Sequence, residues 1–298
     1  MELRDFAPQV FKLHGAGDFE GARRRVVEAL PHLTDNDTEI ATFWKACLDA
    51  CTGHGDDALD TLEAALDRGW WYGPRMLSDE DLDSIREEPR FGAILERSEE
   101  AQTAARRAPP VPIVSEPEGD LRGAVVALHA AEGRTTHTSH IWGTARNRGY
   151  RIIAVASSLK VTSLRATWDD RSRALADVTT QLDTAVEPLI MGGRSLGAAV
   201  ALHLATIGAI RAAGLILVAP TLRWELARPA LPFPVVILAG ERDSDRLRSA
   251  AADIEAFLTD AGCRVDHQVV AGMGHYYPDD FDTWLISSID WIESETRA

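Results

Sequence analysis

Cysteine is scarce in this sequence, and the three that occur form an odd set: Cys47, Cys51 and Cys263. A set this small excludes a disulfide framework and is typical of a reducing compartment. The spacing of Cys47 and Cys51 puts them on one helix face, but no nearby Cys/His pair completes a metal site. We therefore expect these two to be small core residues, and we predict no metal site.

Long apolar runs are also missing. No stretch of about 18 or more apolar residues occurs, and the most apolar predicted helix carries His203 and Thr206. The first residues contain no apolar segment of the kind that forms the core of a signal peptide. We therefore expect a soluble, cytoplasmic protein that does not span a membrane.

Basic residues are few relative to acidic ones. The chain has 31 Lys and Arg against 46 Asp and Glu, which gives a net charge of −15. This balance argues against binding to nucleic acid and to anionic membranes. The excess is concentrated in residues 1–106, which carry −11, whereas residues 107–298 carry −4. We interpret it as the solvated surface of helices.

Residues 1–106 show helical periodicity. The pattern Gly-x4-Ala occurs at Gly17 and Ala22 and again, 36 residues later, at Gly53 and Ala58. This period, with a short turn and a small residue that allow two helices to pack closely, resembles a degenerate tetratricopeptide array of about two units. Such arrays offer concave peptide-binding surfaces, so the resemblance implies that this region could bind a protein partner.

A proline-rich stretch ends the helical region, because proline cannot continue a helix. We place the boundary there, between a helical domain (residues 1–106) and a second domain (residues 107–298). In the second domain helical runs alternate with apolar strand-like runs, near residues 124–129, 150–156, 189–194, 213–220, 234–240 and 264–270. This alternation predicts an α/β fold with a mostly parallel sheet covered by helices on both faces.

The stretch Gly193-Arg194-Ser195-Leu196-Gly197 lies between a predicted strand and a helix-forming run. A serine at the apex of such a turn has strained backbone and an exposed hydroxyl, and the two glycines let strand and helix approach closely. The next backbone N–H, that of Leu196, lies at a helix N-terminus, where it can stabilise an oxyanion. The pattern predicts that Ser195 is a nucleophile.

Two further reactive groups follow later strands. Asp243 and Asp245 come after the strand that ends at Gly240, and His275 comes after the last strand. The carboxyl ends of parallel strands meet at one edge of a sheet, so the order serine, acid, histidine predicts a triad for acyl transfer. Position alone leaves the acid open between the two aspartates.

Residues from about 110 to 298 resemble the α/β-hydrolase family, and within it the small cap-less members of the dienelactone hydrolase and phospholipase/carboxylesterase type. The resemblance is carried by the Gly-x-Ser-x-Gly turn, the Gly-x-x-Asp spacing at the acid, the Gly-His pair at the base and the loop that begins at His129. It implies that Ser195 is the nucleophile, Asp243 the acid and His275 the base, without a cofactor.

The resemblance also implies an oxyanion hole formed by the backbone of Leu196 and of Ala131 or Ala130. The loop reads His-Ala-Ala-Glu-Gly where the family has His-Gly-x-Gly. Ala130 therefore replaces a flexible glycine, and Glu132 brings a negative charge near the predicted oxyanion.

Several other side chains allow two interpretations each. Trp168 and Tyr276 are candidates for lining a substrate pocket, or they simply pack. Arg194 could pair with a loop carboxylate or touch the substrate. We expect His129 to be a structural loop residue, and His203 to be a core histidine whose hydrogen bonds are satisfied.

The function predicted from these features is hydrolysis of a small acyl ester or thioester through an acyl-enzyme. One alternative is an interaction scaffold with an inactive hydrolase body. The other is an acyltransferase that uses the same triad and passes the acyl group to an alcohol or an amine.

Overall fold

The computed structural model describes residues 3–182 and 186–297. The chain folds into two compact units. The first comprises Met1–Ala108 together with Lys160–Arg165, and the second comprises Pro109–Leu159 together with Ala166–Ala298. The boundary proposed near residue 107 divides the chain only once, whereas the structure assigns the short segment 160–165 to the helical unit.

The first unit is all helical apart from its turns and an isolated bridge. Its helices are α1 (Leu3–Gly15), α2 (Phe19–Ala29), α3 (Asp35–Cys51), α4 (Gly55–Asp67), the single turn α5 (Pro74–Leu77) and α6 (Pro89–Arg107). Helix α6 ends directly before the proline-rich stretch, as expected from the inability of proline to continue a helix.

The 36-residue period corresponds to two helical hairpins. Helix α1 packs against α2, and α3 packs against α4. Gly17 and Gly53 lie in the two connecting turns with φ of 76° and 80°, a backbone conformation that glycine adopts at little cost. Ala22 and Ala58 have no exposed surface, so a small side chain lies at each helix crossing.

Segment 160–165 is held inside the helical unit by backbone and charged contacts. Gly73 N–H donates to Val161 O at 2.8 Å, and Tyr72 and Thr162 form an antiparallel bridge. Arg165 Nε donates to Glu39 Oε2 at 3.2 Å, and the Glu39 side chain has no exposed surface. A buried carboxylate needs such a partner, so Arg165 completes the interior of this unit.

The cysteines are as unreactive as their sequence context suggests. Cys47 is buried in the helical core, whereas Cys51 is only partly buried. Burial raises the pKa of Cys51 to about 12, with the nearby Asp81 carboxylate adding to the effect, so its thiol stays protonated at neutral pH.

The second unit is built on one seven-stranded sheet. Its strands are β1 (Ile113–Ser115), β2 (Gly123–Leu128), β3 (Tyr150–Val155), β4 (Leu189–Arg194), β5 (Gly214–Val218), β6 (Val235–Gly240) and β7 (Val265–Val270). Their order is β1-β3-β2-β4-β5-β6-β7, with β1 antiparallel and all other pairs parallel. The mostly parallel α/β sheet predicted from the alternation of strands and helices is confirmed.

Helices cover both faces of the sheet. They are α7 (Thr135–Ile141), α8 (Arg171–Gln181), α9 (Leu196–Thr206), α10 (Asp245–Asp260) and α11 (Phe281–Arg297). Two apolar clusters result, one on each side of the sheet. Every residue of α9 is buried, which explains why this helix is apolar all round rather than amphipathic.

Two helices end earlier than the residue pattern predicts. The sequence of residues 139–147 predicts one helix, but α7 ends at Ile141 and a tight 3₁₀ turn follows over Gly143–Arg148. The spacing of Leu175, Val178 and Leu182 predicts one helix face, but Leu182 lies just beyond the end of α8 at Gln181. Within the described ranges no helix combines the length and the apolar character needed to cross a bilayer.

Candidate active site

Ser195 forms the turn between β4 and α9. Its backbone has φ 55° and ψ −118°, a conformation that L-residues rarely adopt and that costs about 1–3 kcal/mol. Its N–H donates to Val218 O at 2.9 Å, which extends the β4–β5 ladder into the turn. The surrounding strands thus hold a strained serine, partly exposed, at the centre of the sheet.

The two glycines of the turn are required because β2 ends directly beside it. A Cβ on Gly197 would lie 2.4 Å from His129 O, and a Cβ on Gly193 would lie 2.7 Å from Leu128 O. Both obstacles are backbone atoms, so a side chain at either position would force the strand and the turn apart. The close approach also puts the loop after His129 next to the serine.

Ser195, His275 and Asp243 form a continuous chain of hydrogen bonds. His275 Nε2 is 2.8 Å from Ser195 Oγ, and His275 Nδ1 is 3.1 Å from Asp243 Oδ2. The Asp243 side chain is 6% exposed and that of His275 is 34% exposed. A buried carboxylate that orients a solvent-reachable imidazole towards a serine hydroxyl is the arrangement that nucleophilic acyl transfer needs.

Of the two aspartates that follow β6, the structure brings only Asp243 to the imidazole. Asp245 is 94% exposed and pairs with Arg248 at the start of α10. Arg248 also donates to the carbonyl oxygens of Glu241 and Asp243. This arginine, which the sequence analysis did not single out, therefore fixes the backbone of the loop that carries the acid.

The loops after β6 and β7 are bonded to each other. Arg242 N–H donates to Met273 O at 2.9 Å, and Gly272 N–H donates to Glu241 Oε2 at 2.8 Å. A Cβ on Gly240 would lie 2.6 Å from Met273 O, so the two loops are in close backbone contact. This contact keeps the acid and the base at a fixed separation.

Arg194 does not pair with a loop carboxylate. Its Nη1 donates to His275 O at 2.6 Å, and its guanidinium carbon lies 6.0 Å and 5.6 Å from the ring centres of Tyr276 and Tyr277. Across residues 3–182 and 186–297 no carboxylate forms an ion pair with it. Of the two roles considered from the sequence, pairing with a loop carboxylate is not found among the described residues: Arg194 contacts the backbone of the histidine loop.

The two predicted oxyanion donors lie on the segments that flank Ser195. Leu196 is the first residue of α9. Ala131 lies in a turn closed by Gly133 N–H donating to Ala130 O at 2.9 Å, with Glu132 at φ 53°. Ala131 and Glu132 are exposed to solvent. The role of Leu196 and Ala131 as donors remains a prediction.

Trp168 supports the loop after β2 from behind. Its side chain has no exposed surface, its ring stacks on His129 at 4.6 Å between centres, and its Nε1–H donates to His129 O at 2.8 Å. Of the two interpretations considered for Trp168, the contacts favour packing over pocket lining. His129 is itself buried and holds Ala130 O through Nδ1 at 2.8 Å, consistent with a structural role.

The two tyrosines after His275 differ in environment. Tyr276 is 46% exposed and remains a candidate for contact with substrate. Tyr277 is partly buried, its hydroxyl accepts a hydrogen bond from Trp142 Nε1 at 3.1 Å, and burial raises the pKa of this hydroxyl. Tyr277 therefore stays neutral, and its ring packs beneath the loop. No sequence pattern indicated this role.

His203 corrects one expectation. It is buried in α9 as predicted, but its Nδ1 makes no hydrogen bond with any residue that the structure describes. Its ring packs against Trp224 at 5.3 Å between centres. Burial, with a smaller effect of Arg171, lowers the pKa of His203, so the imidazole is neutral and tolerates the apolar surroundings at the cost of an unsatisfied nitrogen.

Comparison with known proteins agrees with this architecture. Residues 19–106 match a family described as the N-terminal domain of A/B hydrolase-like proteins. An uncharacterized protein from Bacillus cereus ATCC 10987 is 22% identical, with a TM-score of 0.50, over 98% of this chain and 100% of that one. The Bacillus cereus carboxylesterase is 15% identical, with a TM-score of 0.50, over 65% of this chain and 98% of that one. The search of curated proteins gives no match.

At these identities the solved structures establish the fold alone. The chain thus has the α/β-hydrolase fold, preceded by a helical region that matches the N-terminal domain of A/B hydrolase-like proteins.

Proposed function

We propose that this protein is a serine hydrolase that cleaves a carboxylic ester or thioester with a small acyl group. The observation that carries the proposal is the unbroken chain of hydrogen bonds from Ser195 Oγ through the His275 ring to the buried Asp243 carboxylate. The strained turn, with φ 55° at Ser195, is a second supporting feature, because it exposes the serine hydroxyl at the end of β4.

In the acylation step, Ser195 Oγ attacks the carbonyl carbon of the substrate while its proton passes to His275 Nε2. Asp243 holds the Nδ1–H tautomer and stabilises the imidazolium that forms. The tetrahedral intermediate collapses when His275 returns that proton to the leaving oxygen or sulfur. The alcohol or thiol departs, and the acyl group remains on Ser195 as an ester.

Deacylation repeats the sequence with water as the nucleophile. His275 accepts a proton from water, the hydroxide oxygen adds to the acyl carbon, and the proton then returns to Ser195 Oγ as the acid is released. The imidazole is one-third exposed and the serine is partly exposed, so water reaches the acyl-enzyme.

The backbone N–H groups of Leu196 and Ala131 are the proposed donors to the oxyanion. Leu196 contributes from the first turn of α9, where the helix dipole favours negative charge. Ala131 contributes from the turn next to the serine, whose position is fixed by the contact between Gly197 and His129 O. Each such donor is worth roughly 10²- to 10³-fold in kcat in other acyl-transfer enzymes.

The direct test is the Ser195→Ala variant. We expect its turnover of p-nitrophenyl acetate or butyrate to fall by about 10⁴-fold or more, and its labelling by a fluorophosphonate probe to disappear, because the hydroxyl that contacts His275 Nε2 is removed. Ser294→Ala is the matched control, since that hydroxyl donates to Trp291 O on α11. Undiminished labelling of Ser195→Ala would overturn the assignment of the nucleophile. No labelling and no turnover by the wild type would overturn the proposal and favour an inactive scaffold.

The choice between hydrolysis and acyl transfer is read from the products. With a p-nitrophenyl ester and a competing alcohol or amine, a hydrolase gives mainly the free acid at modest acceptor concentration. Predominant formation of the new ester or amide would identify an acyltransferase that uses the same triad.

A further inference from the structure

Arg194 provides a second connection between the nucleophile and the base, besides the hydrogen bond between Ser195 Oγ and His275 Nε2. It is the last residue of β4, one peptide bond before Ser195, and its guanidinium reaches the loop that follows β7. The histidine loop has no regular secondary structure over residues 271–280, so its position depends on such side-chain contacts.

The contact is made to the backbone of the base itself. Arg194 Nη1 donates to His275 O at 2.6 Å, and this is the hydrogen bond that fixes the peptide unit following the imidazole. A charge-assisted bond from a guanidinium to a carbonyl is stronger than a neutral one. Because β4 is a central, buried strand, the donor is attached to the most rigid part of the sheet.

The aromatic rings after His275 hold the guanidinium in place. Tyr276 and Tyr277 lie within cation–π distance of its carbon, at 6.0 Å and 5.6 Å from their ring centres. Tyr277 is in turn fixed by Trp142, which has no exposed surface. The position of the Arg194 guanidinium is therefore fixed by the two rings and by His275 O. In the described ranges no carboxylate forms an ion pair with it.

We infer that Arg194 is a positioning residue that sets the distance between Ser195 Oγ and His275 Nε2 by anchoring His275 O to the strand that carries the nucleophile. This inference rests on the proposed function. It assigns Arg194 no contact with substrate: its effect passes through the placement of the imidazole. A shift of about 1 Å in a reacting group can cost on the order of 10²-fold in rate, so a single anchor of this kind is sufficient to matter.

The test compares Arg194→Met, Arg194→Lys and Arg264→Met with the wild type. Methionine keeps the length and packing of the side chain but cannot donate, whereas lysine keeps one donor and the charge. Arg264 pairs with Glu295 at the surface and serves as the matched loss of an arginine. Rates are measured on p-nitrophenyl butyrate across pH 5 to 9, with melting temperatures recorded in parallel.

We expect Arg194→Met to lower kcat by about 10- to 100-fold with little change in KM, and to slow fluorophosphonate labelling in proportion. Arg194→Lys should recover part of kcat, and Arg264→Met should behave as the wild type.

Three outcomes would overturn the inference: a wild-type kcat in Arg194→Met, a rise in KM alone, or a loss of kcat that Arg194→Lys does not relieve although the protein melts as the wild type does. If Arg194→Met fails to fold, Tyr277→Leu, which removes the ring beneath the guanidinium, must lower kcat instead. Failure of the proposed function looks different, because the wild type would then show no turnover and no labelling at all.

Discussion

The conformation of Ser195 illustrates how a single residue can be strained and still stable. Its positive φ opposes folding by about 1–3 kcal/mol. That cost is offset because the serine N–H bonds to Val218 O and the flanking glycines lie against the end of β2. Relaxing the turn would therefore break the sheet around it, so the strain persists and the hydroxyl stays exposed.

At the same scale, the two aspartates after β6 make a matched pair for mutation. We expect Asp243→Asn to lower kcat by about 10²- to 10⁴-fold, because an amide can select the wrong imidazole tautomer and cannot stabilise the imidazolium. Asp245→Asn should leave kcat within about twofold of the wild type, since this side chain is almost fully exposed and far from the imidazole ring's hydrogen bonds. Steady-state rates on p-nitrophenyl butyrate measure both, and equal losses would contradict the assignment of the acid.

Position after a strand identifies the serine and the histidine, whereas the choice of Asp243 over Asp245 rests on the Gly-x-x-Asp spacing of the family that the sequence resembles. Gly-x-Ser-x-Gly between a strand and a helix carries its own geometry, and His275 is the only histidine directly after the last strand. Asp243 and Asp245 both follow β6, and their different environments arise from Arg248, which lies on the next helix. The hydrogen-bond partner of Arg194 could not be predicted from the sequence either, because it is a backbone oxygen 81 residues away.

At the scale of elements, the loop between β2 and α7 is shaped by a contact from the segment before α8. The Nε1–H of Trp168 bonds to His129 O, and Ala166 N–H bonds to Gly133 O at 3.0 Å. The turn that carries Ala131 is therefore held at both of its ends. An alanine at position 130 is compatible with this conformation because the positive φ of the loop falls on Glu132.

Removing one of these ties should impair catalysis without abolishing it. We expect Trp168→Phe to lower kcat by about 10-fold, because the ring can still stack on His129 but no longer fixes His129 O, and the oxyanion donor is displaced rather than lost. The measurement is kcat on p-nitrophenyl butyrate, with melting temperature as the check on folding. Trp291→Phe on α11 is the matched control, and an equal effect of both variants would show that the tie does not serve the oxyanion.

Strands and helices could be predicted where the pattern of apolar residues within the segment itself determines the structure. Apolar runs such as that of β6 identify buried parallel strands whatever surrounds them. Helix α7 and the following 3₁₀ turn were not separable from one longer helix, since Gly143 is tolerated inside a helix and the break depends on packing. The order of the strands in the sheet follows from the fold and not from any one segment.

At the scale of the whole molecule, the chain leaves the hydrolase unit after Leu159, contributes six residues to the helical unit and returns at Ala166. No periodicity marks these six residues, so their place in the helical unit could not be predicted from the sequence. Its most buried polar contact is the pair Arg165 and Glu39. The helical unit is consequently incomplete if it is taken as residues 1–106 alone.

That pair predicts a large effect on stability. We expect Arg165→Met to lower the free energy of unfolding of the helical unit by about 3 kcal/mol, because Glu39 is left buried without its cation. The double variant with Glu39→Gln should recover part of the loss. Urea unfolding followed by far-UV circular dichroism measures both. Arg97→Met, which breaks an exposed pair with Asp67, should change stability by less than about 0.5 kcal/mol, and a comparable loss there would contradict the expectation.

The strand order has a consequence for how the protein loses activity on heating. Strand β4, which precedes the serine, has neighbours on both sides, whereas β7, which precedes the histidine, is bonded to β6 alone and leaves Val269 62% exposed. Edge strands unfold locally at a lower free-energy cost than central strands do. Heating should therefore separate His275 from Ser195 while most of the core is still folded. Activity should then be lost at a temperature well below the melting temperature, because the edge strand of the sheet unfolds first.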